Sequence, residues 1–315
     1  MRSGFVAVLG RPNVGKSSLC NQMVGTDLAA VSNKPQTTWH QIRGIVTDER
    51  GQIVLTDTPG LHAATSELNR AMNVGALDAL KSADTSMLIL EAQRSLSEFE
   101  IELLTYLRGR KVLVVLNKTD LATAEQIERL RQDIIALGTD TILTCSAKAR
   151  DGVDLIPGKL FELLPDGEYL YDPEDLTDRS TRFIVSEYIR QALFQVLGQE
   201  LPYQIFVEID TFDESADPLL IEATLHVGSK SQKPIVVGKN GSKIKEIGIV
   251  ARKQIENLLD QHVYLRLWVK ILPNWFKREG QILRAGLPYQ KKRVKGVSGL
   301  MNDLHLDKRQ EENGE

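Results

Sequence analysis

Cysteine is almost missing from this chain, aromatic residues are sparse, and no long apolar run occurs. The two cysteines, Cys20 and Cys145, lack metal-ligand spacing and are too few for a disulfide framework. Both are expected to be reduced, packed thiols of a cytosolic protein. Aromatics make up 6% of 315 residues. No segment approaches the roughly eighteen apolar residues of a membrane helix. The N-terminus passes at once into a strand-like run, so no signal peptide is expected. Peripheral contact with the cytoplasmic face of the inner membrane stays open. Positive charge is scarce except in one place. Gly228 to Gly296 holds 16 lysines and arginines against 4 acidic residues, whereas the rest holds 23 against 38. A basic block inside an acidic chain points to a polyanionic partner for that block.

The most informative stretch reads GRPNVGKSS: Gly10, Arg11, Pro12, Asn13, Val14, Gly15, Lys16, Ser17 and Ser18. It follows the apolar run FVAVL and precedes LCNQMVG, the start of a helix. Strand, glycine-rich loop and helix in that order form the phosphate-cradling motif Gly-x-x-x-x-Gly-Lys-Ser/Thr. Its glycines let backbone N–H groups converge on phosphate oxygens, and the helix N-terminus adds a positive dipole. Lys16 is expected to meet the β- and γ-phosphates, and Ser17 to ligate Mg²⁺.

From Phe5 to about Leu164, apolar strand-like runs alternate with helical ones, which predicts a mostly parallel sheet with helices on both faces. Ligands of such sheets sit at the carboxyl ends of the strands. Three further motifs fall there. Asp57-Thr58-Pro59-Gly60, followed by Leu61, places a carboxylate for Mg²⁺ and an unobstructed Gly60 amide for the γ-phosphate. Asn117-Lys118-Thr119-Asp120 places a carboxylate that accepts both N1–H and the 2-amino group of guanine, which selects guanine over adenine. Asn117 braces that loop and the Lys118 stem covers the base. Ser146-Ala147-Lys148 offers the Ala147 amide to the guanine carbonyl. Between the first helix and the second strand, Pro35-Gln36-Thr37-Thr38 is the expected mobile loop, with Thr38 the candidate Mg²⁺ ligand and Thr37 second.

The rhythm changes after Leu163. An acidic stretch with two prolines reads as a linker, so the expected division is 1–165, a linker 166–182, a second domain 183–289, and a disordered tail 290–315. The second domain reads helix–strand–strand–helix–loop–helix–strand. Its loop, Gly238-Lys239-Asn240-Gly241, lies inside the basic block between an aliphatic run and a lysine-rich helix. Lys239, Lys243 and Lys245 are candidate phosphate contacts. Ile235, Val236 and Ile244 are candidate linings of a base groove. A second Gly-x-x-Gly, Gly296 to Gly299, has no such context.

The nucleotide motifs together resemble those of the translation-factor-like GTPases, and GRPNVGKSS with KPQTT and DTPGL is most similar to the Era-type bacterial GTPases. The second half resembles a type II KH domain, a module that takes single-stranded RNA at a Gly-x-x-Gly loop. The fold implied is an α/β P-loop GTPase domain followed by an α+β type II KH domain. The resemblance covers about residues 1–290. It implies GTP/GDP and Mg²⁺ as ligands, slow GTP hydrolysis, and a monomer that binds 16S rRNA near its 3′ end and assists small-subunit assembly. Catalytic roles would fall to Lys16, Thr38, Gly60 and Asn13. Many GTPases orient the attacking water with a Gln after Asp-x-x-Gly; Leu61 stands there, with His62 the nearest polar group. An Asn at the place of Asn13 helps related GTPases bind K⁺. Trp39 replaces the Arg usual after Thr-Thr. Two alternatives stay open: a GTPase acting on tRNA or mRNA, and an RNA-binding protein whose nucleotide is structural.

Overall fold

The computed structural model describes residues 1–29, 40–58, 76, 78–198 and 201–285. These fall into two compact units, 1–26 with 40–178 and 27–29 with 179–285.

In the first unit, six strands form one sheet: β1 (Arg2–Leu9), β2 (Ile42–Asp48), β3 (Gly51–Asp57), β4 (Thr85–Glu91), β5 (Val112–Asn117) and β6 (Ile142–Thr144). Their order is β2–β3–β1–β4–β5–β6. Every neighbouring pair is parallel except β2 with β3. Strand β5 is buried end to end, as a central strand covered on both faces must be.

Alternate residues of β1 divide the core. Ala7 and Leu9 join Leu103 and Leu104 of α2 (Glu98–Leu107) and Leu130 and Ile134 of α3 (Ala124–Ala136). Val6 and Val8 join Leu19 of α1 (Lys16–Val24) and Ile156 and Leu160 of α4 (Leu155–Leu163). At roughly 1.5–3 kcal/mol per large buried side chain, these two layers dominate the stability. Caps worth about 1 kcal/mol each set where the helices begin. Ser97 with Glu100 and Thr123 with Gln126 form reciprocal capping boxes at α2 and α3. Cys20 and Cys145 are free and buried, and burial pushes the Cys145 thiol up to about 12. Strand β6 is shorter than its apolar run, because Ser146 turns to pair with Asp151.

The acidic stretch 166–178 belongs to this unit and lies along β2. Ile45 N–H donates to Leu176 O at 2.9 Å. The fully buried Gln52 accepts from the amides of Leu170 and Tyr171 at 2.8 and 2.9 Å and donates to Tyr171 O at 3.2 Å.

The second unit is α+β. Helix α5 (Thr181–Val196) starts where Ser180 Oγ accepts from Phe183 N–H. Strands β7 (Ile205–Asp213), β8 (Leu219–Val227) and β9 (Val263–Ile271) form a sheet in that order. Strand β8 pairs antiparallel with β7 and parallel with β9. The parallel pair needs a crossover. Helices α6 (Gln232–Val237) and α7 (Ser242–Leu259) supply it, and α8 (Glu279–Arg284) follows β9. Trp275 is fully buried, and its Nε1–H donates to Gln204 O. Among the described residues no helix is long and apolar enough to cross a membrane.

Candidate nucleotide site and nucleic-acid interface

The loop between β1 and α1 turns through left-handed conformations at Asn13 (φ 65°) and Gly15 (φ 101°). A Cβ on Gly15 would stand 2.2 Å from Asn117 Nδ2, so only glycine lets the two loops approach. Val14 is buried, and its carbonyl accepts from Asn117 Nδ2 at 2.7 Å. Asn117 Oδ1 accepts from Ala147 N–H at 3.0 Å. One buried amide therefore joins the three motifs that sequence reasoning placed at separate strand ends.

Lys16 is buried at the start of α1. Its Nζ donates to the carbonyls of Gly10 and Arg11 at 3.1 and 3.0 Å. Burial lowers its pKa to about 8, against the opposing attraction of Asp57. A cation held this way gains most from an anion placed in the loop. Ser17 Oγ donates to Asp57 Oδ2 at 2.7 Å, and Asp57 is buried at the end of β3. Such a hydroxyl–carboxylate pair holds Mg²⁺ jointly with phosphate oxygens in P-loop proteins. Among the described residues no group of three or more His, Cys, Asp or Glu could hold a metal by itself. Thr58 is buried and donates to Val8 O at 2.7 Å, tying β3 to β1. Arg11, Pro12 and Ser18 are half-buried, and Asn13 is exposed.

At the base end, Asp120 is exposed and its Oδ1 accepts from Ser146 Oγ at 2.6 Å. Ser146 Oγ also accepts from Ala149 N–H. Thr119 N–H donates to Cys145 O, and Lys148 is exposed. Lys118 pairs with Glu91, which fixes the direction of its stem. As a donor to a base carbonyl, the Ala147 amide would be shared with Asn117. Two residues missed in the sequence support this end: Glu91 and Gln22, whose Nε2 donates to Ala147 O. Neither stands in a motif, so only the fold reveals them. Thr37, Thr38, Trp39, Pro59, Gly60, Leu61 and His62 lie outside the described residues, as does the tail 290–315.

In the second unit the Gly238–Gly241 turn carries three residues at positive φ, 74°, 52° and 77° for Gly238, Asn240 and Gly241. A Cβ on Gly238 would lie 2.7 Å from Lys243 N. Lys239 and Asn240 are exposed at the tip. Lys243 pairs with Glu246 at 2.8 Å. Ile235 is exposed, whereas Val236 is fully buried in the core. A cleft of about 310 Å³ opens between Ile244, Lys245, Gly248, Ile249 and Arg252 of α7 and Leu265 and Leu267 of β9. Ile244 and Lys245 were candidates from the sequence. The β9 floor was not, because alternation shows which residues share a face but not that β9 is an edge.

Residues 5–118 match the family model described as a 50S ribosome-binding GTPase, and residues 200–276 match that of the KH domain. The GTPase Era of Xylella fastidiosa (strain M12) is 40% identical over 289 residues, spanning 90% of this chain and 97% of the relative. The chain belongs to the Era family of GTPases. The Era of Carboxydothermus hydrogenoformans is 38% identical over 90% of the chain. A crystal structure of Era in complex with MgGDPNP and nucleotides 1506–1542 of 16S ribosomal RNA matches with a TM-score of 0.86 at 30% identity, covering 91% of this chain and 99% of that one. A variant of Aquifex aeolicus Era bound to GDP·AlF₄⁻ matches with a TM-score of 0.85 at 31% identity, with the same coverage. The Era family match fits both halves of the fold, a mostly parallel GTPase sheet followed by a KH domain.

Proposed function

We propose that the chain is a GTP-hydrolysing switch that holds 16S rRNA near its 3′ end and assists assembly of the small ribosomal subunit. The observation that carries this reading is the match over nine-tenths of the chain to an Era bound to MgGDPNP and that RNA. Residues 1–165 act as the GTPase domain, 166–182 as a linker whose first part, 166–178, is laid along β2, and 183–289 as the RNA-binding domain. The nucleotide motifs and the cleft are all supplied by one chain, in keeping with a monomer. An RNA partner of this kind supports a cytoplasmic protein, and any contact with the inner membrane would be peripheral.

The buried Lys16 ammonium meets the β- and γ-phosphates, while loop amides from Asn13 to Ser17 surround them. Ser17 and Asp57 hold Mg²⁺, which supplies charge neutralisation at the phosphate oxygens when bound. Thr38 and Gly60 would be this chain's contacts to the γ-phosphate. Asp120, steadied by Ser146, accepts from guanine. Leu61 cannot orient a water, so intrinsic turnover is slow. The exposed amide of Asn13 would be the contribution of this chain to a K⁺ site that supplies charge at the leaving phosphate. In the second unit Lys239 and Lys245 meet RNA phosphates, and bases enter the cleft beside Ile244.

Turnover by the full-length protein tests the nucleotide half. GTP, and not ATP, should displace labelled GDP, and Lys16→Ala should weaken binding at least tenfold. Turnover should be faster in KCl than in NaCl at matched ionic strength. Equal rates would remove Asn13 from the catalytic step, and displacement by ATP as effective as that by GTP would contradict the guanine reading.

A further inference from the structure

Strand β9 presents two different surfaces. Its inward face, with Val263, Leu265, Leu267 and Val269, closes the core and floors the cleft. Its other face carries Tyr264, Arg266, Trp268 and Lys270, all exposed. Trp268 is 54% and Tyr264 49% exposed. The two tryptophans of this unit contrast sharply: Trp275 packs against Phe206 with its N–H satisfied, and Trp268 leaves a large ring in water. An exposed row of large aromatics is the informative exception to burial.

The row has the character of a base-stacking platform. Arg266 lies over the Tyr264 ring with its guanidinium 5.0 Å from the centroid. Tyr264, Arg266 and Trp268 follow one another at two-residue steps, about 6.6 Å each along one face of a strand. Aromatic rings and a guanidinium plane on a sheet face are what unstacked RNA bases pack on, and stacking tolerates any base. Lys270 ends the row with a positive charge. The carboxylates of this face stand on β7 and β8, and each is engaged by a neighbour. Glu208 is held by His226, Asp210 by Thr224, and Glu222 by Arg266 and Thr211. Glu222 is the one that reaches β9, where its charge is paired with Arg266 and leaves the Tyr264 and Trp268 rings open. Because β9 is an outer strand, its cleft face and its aromatic face meet around a single edge.

We propose that single-stranded RNA leaving the cleft wraps around the β9 edge and stacks its next bases on Trp268 and Tyr264. This rests on the RNA-binding reading above. It makes these side chains a second recognition surface, on the face of the sheet opposite the Gly-x-x-Gly loop. RNA that fills only the cleft does not reach it.

The test uses the full chain with two labelled RNAs copied from the 3′ end of 16S rRNA. One has the four nucleotides a KH cleft clamps, the other about ten. Binding is followed by anisotropy, and tryptophan emission is read in parallel. Trp268→Ala should weaken the longer RNA roughly tenfold, within the range for one lost stacked base, and leave the shorter one unchanged. Trp268→Phe should restore most of that affinity yet abolish the emission quenching caused by the longer RNA. Unchanged affinity of the longer RNA for Trp268→Ala overturns the proposal. So does equal loss for both RNAs, which would make Trp268 a support of the cleft. Failure of the RNA-binding reading itself looks different: neither RNA binds, or Gly241→Asp leaves both affinities unchanged.

Discussion

Ser146 Oγ donates to Asp120 Oδ1 at 2.6 Å, and this contact fixes the plane of a carboxylate that is otherwise exposed. A carboxylate offers only acceptors, so it suits the paired donors of guanine. Asp120→Asn replaces one acceptor by a donor. GTP affinity should fall about a hundredfold or more, since each hydrogen bond to the charged group contributes roughly 1.5–3 kcal/mol. Xanthosine triphosphate, with a carbonyl in place of the 2-amino group, should bind the variant better than the parent. Competition against labelled GDP measures both. Asn117, Lys16, Ser17 and Asp120 could be singled out in the sequence because each proposed chemistry needs one residue type at a fixed spacing. Glu91 and Gln22 were not, because their partners, Lys118 and Ala147, are distant in sequence. Val236 was misplaced towards the groove for another reason. Helix α6 has six residues, too few for its periodicity to separate the buried side from the open one.

Strand β3 shows how an element can hold a segment that looks unstructured in sequence. Gln52 makes three hydrogen bonds to the stretch around Tyr171, and β2 adds Ile45 to Leu176. Pro165, Pro173 and the acidic residues around them made 166–182 read as a linker, and nothing local reveals a partner more than a hundred residues away. Gln52→Ala should strand several of these polar groups and cost roughly 2–4 kcal/mol. Limited proteolysis should then cut within 166–178 much faster than in the parent, with thermal unfolding as the second measure. An unchanged cleavage rate would mean that Gln52 is not what holds the segment. The strands themselves were readable, since parallel strands buried on both faces must be nearly all apolar. Their order was not, and with it the edge position of β9 and the floor of the cleft.

Over the whole molecule, charge separates the two halves: the basic block lies in the second, and the remainder is acidic. RNA affinity should therefore fall steeply with salt, because bound phosphates release counterions. Lys239→Ala and Lys245→Ala should each flatten the log–log salt dependence by roughly one unit or slightly less, and weaken different RNAs alike. An unchanged slope would remove that lysine from the phosphate contacts. The central claim is that this GTPase holds the 3′ end of 16S rRNA, and crosslinking the tagged full-length chain to RNA in cells, with sequencing of the attached RNA, tests it most directly. The account predicts a peak at the 3′ end of 16S rRNA that weakens when Gly238 and Gly241 are changed to Asp. Crosslinks spread over tRNA or mRNA, or a 16S peak indifferent to those changes, would contradict it.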